Sequence, residues 1–374
     1  MSLAQPLSPT QRNATLDKLR GFALFGVLVV NLFQDYSVTV SAPDRVVSTL
    51  LRLLGEGSFY PLFSLLFGLG FALYLRKGED ALKRFRRRLV ILLFIGLAHG
   101  YLVWRGDILA SYALVGLLLP RFRTGPSKRL MSLALGLALL SGLLFLPLAT
   151  NPQGQPVSSD SLYATGHYWS IFQLRSTEYT TSLLSGLVLF GPQLFAFFLV
   201  GLVLGRRDLT ALTTDRRFLS RVFSTSLALA LPLLALSLFL GDEVVQARGL
   251  SFVLEYFVAS PLLGFSYLAG MTLLLQRRVW QRLLRFLAPV GRMALSNYLA
   301  QSLICTYLFY GYGLGLYGQL GSATTLVIGV VIFAVQASIS TLWLQVFRFG
   351  PAEWLWRSLT YGSVQPLRNL RDTS

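Results

Sequence analysis

Histidine is the one side chain whose ordinary titration falls near neutrality, so a histidine inside an apolar stretch is a natural place to look for proton-transfer chemistry. The chain has two histidines, and only His99 lies in an apolar block. Its setting is the most unusual in the sequence: Gly96-Leu97-Ala98-His99-Gly100-Tyr101-Leu102-Val103-Trp104-Arg105-Gly106-Asp107-Ile108-Leu109, then Tyr112. The apolar run after Asp107 has only about 13 residues, short of the roughly 20 that a bilayer crossing requires. The turn Arg105-Gly106-Asp107 is therefore expected at membrane depth, enclosed by protein or by a water-filled cavity. Plainer readings stand beside this one. Asp107 suits the N-cap of the next helix with Arg105 as its ion-pair partner, and His99 suits a packed, hydrogen-bonded side chain.

Three further groups place polar side chains where hydrocarbon makes them costly. In Leu16-Asp17-Lys18-Leu19-Arg20-Gly21, running on to Asn31, Asp17 and Arg20 are neighbours on one face at a helix start. They suit an N-terminal anchor, with Asp17 favoured by the helix dipole and Arg20 snorkelling, or a functional pair. In Gly291-Arg292-Met293-Ala294-Leu295-Ser296-Asn297-Tyr298-Leu299-Ala300-Gln301, Asn297 and Gln301 are about one turn apart and share a face with Arg292 only in part. The choice there lies between interhelical hydrogen bonding and the lining of a polar cavity. Gln193, Glu255 and Gln336 are isolated and read as packing or cavity positions. Cys305 is the single cysteine, so no disulfide framework and no metal site is expected. There is no Walker-type phosphate loop and no His-Glu-x-x-His pattern, which argues against direct ATP drive and zinc hydrolysis.

The elements that must hold these groups are membrane-spanning helices. Hydrophobic residues make up 54% of the 374, and charged residues only 13%, about half the share in a soluble domain. Apolar blocks near 19–36, 58–75, 89–104, 107–119, 129–149, 182–204, 219–240, 250–275, 286–310 and 322–347 predict about ten crossings. The net charge of +17 sits in short loops, as topology signals do, and not in the patches that bind nucleic acid. Alternate loops carry Arg12, Lys18 and Arg20; Arg76, Lys77, Lys83, Arg84 and Arg86 to Arg88; Arg121, Arg123, Lys128 and Arg129; Arg206, Arg207, Arg216, Arg217 and Arg221; Arg277, Arg278, Arg282 and Arg285; and Arg348, Arg357, Arg368 and Arg371. Intervening loops hold only Arg45, Arg52, Arg105, Arg175 and Arg248. The expectation is an all-α polytopic membrane protein with both termini cytoplasmic and an inner surface that favours anionic lipid. One membrane domain results: a half over 1–149, an outer-face loop over 150–181 and a half over 182–374. The loop, with Tyr163, Tyr168 and Trp169, reads as an interfacial aromatic belt or as the cap of an outward cavity. Met1 to Arg12 shows no cleaved signal peptide.

Depth links the first two groups. Asn31 follows Arg20 by 11 residues and His99 follows Arg88 by 11, so each sits about 16 Å along its helix from a basic inner surface. A shared polar cavity at mid-bilayer is the economical expectation.

On these residues the chain resembles the YeiB family of bacterial inner-membrane proteins. The resemblance rests on Leu16 to Gly21 with Asn31, on Phe59-Tyr60-Pro61-Leu62-Phe63-Ser64-Leu65-Leu66-Phe67-Gly68, and on Gly96 to His99 with Trp104 to Leu109. Gly291 to Tyr298 and Gly350-Pro351-Ala352-Glu353-Trp354-Leu355-Trp356-Arg357 resemble that family's C-terminal domain of unknown function. The family is similar to a wider superfamily of transmembrane acyltransferases, which includes the acyltransferase-3 enzymes and heparan-α-glucosaminide N-acetyltransferase. The resemblance implies transfer of an acyl group from cytoplasmic acyl-coenzyme A, as co-substrate, to a sugar or lipid-linked acceptor at the outer side.

One departure bears on mechanism. Acyltransferase-3 enzymes carry a catalytic histidine ten residues after the Arg-Gly pair of the first span, and here that residue is Asn31, which is no base. His99 would then be the general base, Asn31 an oxyanion donor, and Asp107 or Tyr112 the group that orients the imidazole. Asp17, Lys18 and Arg20 would hold the co-substrate, the cations by attracting its phosphates. Tyr112, Arg105, Arg292, Asn297 and Gln301 would line the cavity. The alternative is a transporter or flippase using the same midplane polar groups as a solute pathway. Membrane lipids and acyl-coenzyme A are the expected partners, with self-association left open.

Overall fold

The computed structural model of the chain describes residues 14–76, 78, 80–150, 160–243 and 251–369. Arg12, Lys77, Arg248, Arg371 and the stretch 151–159 of the outer loop lie outside the described residues. The order begins with α1 (Ala14–Tyr36), α2 (Ala42–Leu54), α3 (Phe59–Leu75), α4 (Ala81–Leu102) and the short α5 (Leu109–Gly116). It continues with α6 (Ser127–Thr150), α7 (Asp160–Thr165), α8 (Tyr168–Leu189), α9 (Gly191–Gly205), α10 (Leu209–Thr214) and α11 (Arg216–Glu243). A π-helical turn over Leu254–Ala259 leads into α12 (Ser260–Leu275), then α13 (Arg278–Leu283), α14 (Leu287–Arg292), α15 (Ala294–Phe309), α16 (Ser322–Val346) and α17 (Pro351–Tyr361).

Five helical stretches among the described residues are long and apolar enough to cross a membrane: Ala42–Leu75, Ser127–Pro147, Arg216–Phe239, Ser251–Leu275 and Ser322–Val346. The pair α8 and α9, bent by 59°, makes a sixth if counted as one span. The outer shell is apolar on its exposed side. Leu135, Leu139 and Leu143 of α6, Phe239 of α11, and Val327, Val331, Val335 and Ile339 of α16 are all more than half exposed. An outward apolar face of that size suits hydrocarbon and not water, and the protein is a multi-pass membrane protein.

α1 is the hub. It is buried on every side, with Leu19, Ala23, Leu24, Leu28 and Leu32 at most 2% exposed, as a helix that is apolar all round must be. Its N-terminal start is pressed against α14. A Cβ on Gly291 would lie 1.8 Å from the Asp17 carbonyl oxygen, so only glycine allows that approach. At its C-terminal end, β1 (Ser37–Val38) pairs in parallel with β2 (Leu320–Gly321), fixing α1 to the start of α16.

Three expected spans take a different form. The block 107–119 yields α5, eight residues or about 12 Å, too short to cross alone. The block 182–204 is broken at Phe190 into α8 and α9, with α8 reaching back over 168–181, where a loop is expected. The block 286–310 is broken at Met293. That last break has a visible cause: Glu353 of α17 accepts the backbone N–H groups of Leu295 (2.7 Å) and Ser296 (3.2 Å) and the Ser296 hydroxyl. A carboxylate from a distant helix thus caps α15, joining the two C-terminal motifs. Burial raises the Glu353 carboxyl above the usual glutamate range, and those hydrogen bonds pull it back down.

Candidate functional site

α4 and α5 meet through the turn 103–108. Gly96 makes this possible, because a Cβ there would lie 2.4 Å from the Ala110 nitrogen. Asp107 opens α5: its Oδ2 accepts the Ala110 N–H at 3.0 Å, and the Tyr179 hydroxyl donates to the same oxygen at 3.4 Å. Its Oδ1 lies 2.8 Å from His99 Nδ1. Both side chains are enclosed, with His99 4% and Asp107 7% exposed. His99 Nε2 is buried and has no hydrogen-bond partner among the described residues. In the neutral ring with Nδ1–H donated to the carboxylate, Nε2 carries the lone pair, which is the arrangement of an oriented general base.

α8 encloses this pair. It lies across the end of α4 and turns Ile171, Arg175 and Tyr179 inward, a spacing of one turn. Arg175 is fully buried and donates to the carbonyls of Tyr101 (2.8 Å) and Val103 (3.0 Å), capping α4 with positive charge. Beyond it, Arg105 is held between Asp35 (3.5 Å) and Glu178 (2.9 Å), while Trp104 donates its indole N–H to Asp35 at 2.8 Å. Tyr163 donates to Glu178 at 2.7 Å. The polar turn inside the membrane protein is thus supplied with partners from α1, α7 and α8, as lipid depth demands.

A small cavity of about 20 Å³, room for a water-sized molecule, lies beside the pair, lined by Leu28, Asn31, Tyr36, Trp104, Tyr298 and Gln301, among others. Trp104 and Tyr298 also contact the His99 ring, at centroid distances of 6.4 and 5.3 Å. Asn31 and His99 therefore flank the same two aromatic rings. They do not face each other across open space, which corrects that expectation: Asn31 lines the cavity, and His99 sits beside two of its wall residues. The Asn31 side chain has no hydrogen bond to another described residue.

The remaining expected site residues separate. Of the five expected to line the cavity, Gln301 does so. Asn297 instead donates to Ser340 (2.9 Å) and to the Val290 carbonyl, and Gln301 donates to Gln336 (2.9 Å), whose own amide donates to the Asn297 carbonyl (3.1 Å). This is interhelical hydrogen bonding between α15 and α16. Tyr112 shares a hydrogen bond of 2.7 Å with Ser64 and donates to the Tyr60 carbonyl, so it does not orient His99; Asp107 does. Arg105 is the partner of Asp35 and Glu178, not of Asp107, and Arg292 ends α14 near the start of α1. Asp17 pairs with Arg20 at 3.2 Å, whereas Lys18 is drawn off to the Gln281 carbonyl at 3.0 Å. Gln193 holds the Phe257 carbonyl of the π-turn, and Glu255 pairs with Arg52 at 3.4 Å. Tyr179, Glu178 and Asp35 were not foreseen. The signal for the first two was the helical spacing within 168–181.

The N-terminal part, residues 12–155, matches the family model described as heparan-alpha-glucosaminide N-acetyltransferase, catalytic. Residues 204–363 match a protein of unknown function, DUF418. The chain is 33% identical to the uncharacterized protein YxaH of Bacillus subtilis, with 98% of each chain covered. It is 32% identical to the uncharacterized protein YeiB of Escherichia coli, covering 95% of this chain and 98% of that one. An uncharacterized 39.9 kDa protein of Bacillus acidopullulyticus is 30% identical over 97% of both. Asn31, His99 and Asp107 thus fall in the part that matches an acetyltransferase catalytic model, Tyr298 and Gln301 with α15 to α17 fall in the DUF418 part, and the chain belongs to the YeiB-like family of membrane proteins.

Proposed function

We propose that this protein is a membrane acyltransferase that moves a short acyl group from cytoplasmic acyl-coenzyme A to a hydroxyl or amine acceptor, a sugar or lipid-linked one, at the outer side. The observation that carries the reading is the buried His99–Asp107 pair at 2.8 Å, whose second imidazole nitrogen is left without a partner. A buried polar atom without a partner is rare, and catalysis is one of the few reasons for it. Arg175 Nη2 is also buried without one among the described residues, but a guanidinium nitrogen cannot take up a proton, whereas an imidazole nitrogen can. His99 Nε2 takes the acceptor proton as the acceptor oxygen or nitrogen bonds to the acyl carbon. The thioester C–S bond breaks, and the proton passes to the departing thiolate. Asn31 donates to the carbonyl oxygen as charge gathers there. Trp104 and Tyr298 must give way for the acceptor to reach Nε2, and the limited cavity favours an acetyl-sized group.

In this reading the protein crosses the bacterial inner membrane about ten times with both termini cytoplasmic, which sets the donor inside and the acceptor outside. Purified protein given acetyl-coenzyme A and a mixture of amino sugars and polyprenyl-linked sugars should release free thiol, and His99→Ala should stop it. Unchanged thiol release in the variant rejects the assignment of His99. Solute or lipid movement with no thiol release would instead favour a transporter, for which the broken helices α8–α9 and α14–α15 are suited.

A further inference from the structure

The C-terminal helix α17 folds back over the cytoplasmic end of α4. The Trp356 indole N–H donates to the Arg88 carbonyl at 2.8 Å, and the Trp356 ring lies 3.8 Å from the Arg88 guanidinium. Tyr74 of α3 flanks the same guanidinium at 5.8 Å. Arg357 and Arg20 lie near enough for their charges to repel Arg88. Asp17 pairs with Arg20, but Arg88 has aromatic rings and no carboxylate against it among the described residues, and none of its N–H groups is hydrogen-bonded to one of them. Two rings thus fix the plane of a guanidinium whose donors remain available, the preorganisation that suits an arginine to a phosphate. Bringing three like charges together is unfavourable, and a multivalent anion offsets it.

Position gives this cluster its meaning. Arg88 and His99 are 11 residues apart on α4, three turns and about 20° at 100° per residue, so they share a face about 16 Å apart. Arg20 and Asn31 bear the same relation on α1. A ligand whose phosphates rest on Arg20 and Arg88 therefore has one helix face from each of α1 and α4 leading to the cavity, a span that an extended pantetheine arm bridges.

We propose that Arg20, Arg88 and Arg357 form a cytoplasmic site for a phosphate-bearing ligand, with α17 as the clasp that brings Arg357 and Trp356 to it. The identification of that ligand with the acyl donor rests on the acyltransferase reading above; the site itself does not. It replaces Lys18, which faces Gln281, with two arginines from elsewhere in the chain.

The test is equilibrium binding to the full-length protein in phosphatidylcholine nanodiscs at low salt, with coenzyme A, inorganic pyrophosphate and phosphate-free pantetheine as probes. A parallel arm replaces part of the phosphatidylcholine with phosphatidylglycerol. The expected result is binding of coenzyme A, weaker binding of pyrophosphate and little binding of pantetheine. R88Q and R357Q should each weaken coenzyme A by about tenfold or more, in the range of a lost charge-assisted hydrogen bond. The rise in melting temperature on adding coenzyme A should be smaller in R357Q than in the unchanged protein; an equal rise would mark Arg357, which also stacks on the Phe349 ring at 4.4 Å, as purely structural. Coenzyme A binding unaffected by either variant overturns the site and leaves the acyl-donor reading standing. Binding of phosphatidylglycerol alone, lost in R88Q, keeps the site, names a lipid headgroup as its ligand and removes the donor reading. No binding in either arm overturns the proposal outright.

Discussion

Two of the buried polar clusters among the described residues differ in one respect. Between α15 and α16, the Asn297, Gln301, Gln336 and Ser340 side chains bond with one another and with the backbone, and each amide nitrogen has an acceptor. At the α4–α5 turn, Asp107 is satisfied by an imidazole, a backbone N–H and a tyrosine hydroxyl, yet His99 Nε2 has no partner among the described residues. A complete network rigidifies a helix pair, whereas an incomplete one in the same low-dielectric setting is retained for some other use. Completeness, and not polarity, separates the structural cluster from the chemical one.

That contrast is open to direct attack. The largest expected effect is on His99→Ala, which should lower thiol release from acetyl-coenzyme A by about 10²- to 10⁴-fold per folded molecule, well beyond the stability lost when the buried Asp107 carboxylate is left without its imidazole partner. A fall in melting temperature matching the loss of activity would move His99 into the structural class. Asp107→Asn should reduce turnover by about 10²-fold, because an amide no longer fixes the proton on Nδ1, while still capping α5. Equal turnover at saturating substrate would show that Asp107 serves only the cap. Glu353→Ala should lower unfolding stability by about 1–2 kcal/mol through loss of the α15 cap, with turnover per folded molecule retained. Smallest is Gln336→Leu, at about 0.6–1 kcal/mol in reversible unfolding from mixed micelles, again with turnover retained. Loss of turnover beyond the loss of folded protein in either of these would erase the distinction between the clusters.

Much of the chemical cluster was legible in the sequence, because local spacing carries it. His99 and Asp107 stand eight residues apart, the apolar run after Asp107 is too short to cross, and that shortness placed the turn inside the protein. Asp17 and Arg20 likewise follow from helix geometry. The partners of Arg105 did not follow, since Asp35 and Glu178 come from the far end of α1 and from a helix where a loop was expected. The break at Met293 was hidden for the same reason: its cause, Glu353, lies 60 residues downstream. Nor could spacing show that two aromatic rings stand beside both Asn31 and His99. Tertiary contacts between distant segments decided each of these.

The central claim is that the His99 imidazole keeps its proton on Nδ1, toward Asp107, and offers Nε2. The chain holds only His99 and His167, so ¹⁵N-histidine labelling of the His167→Gln variant leaves a single imidazole to observe. Magnetic resonance of its two nitrogens should report a protonated Nδ1 and an unprotonated Nε2 in the neutral ring, with the preference lost in Asp107→Asn. A proton residing on Nε2 in the unaltered site would contradict the account.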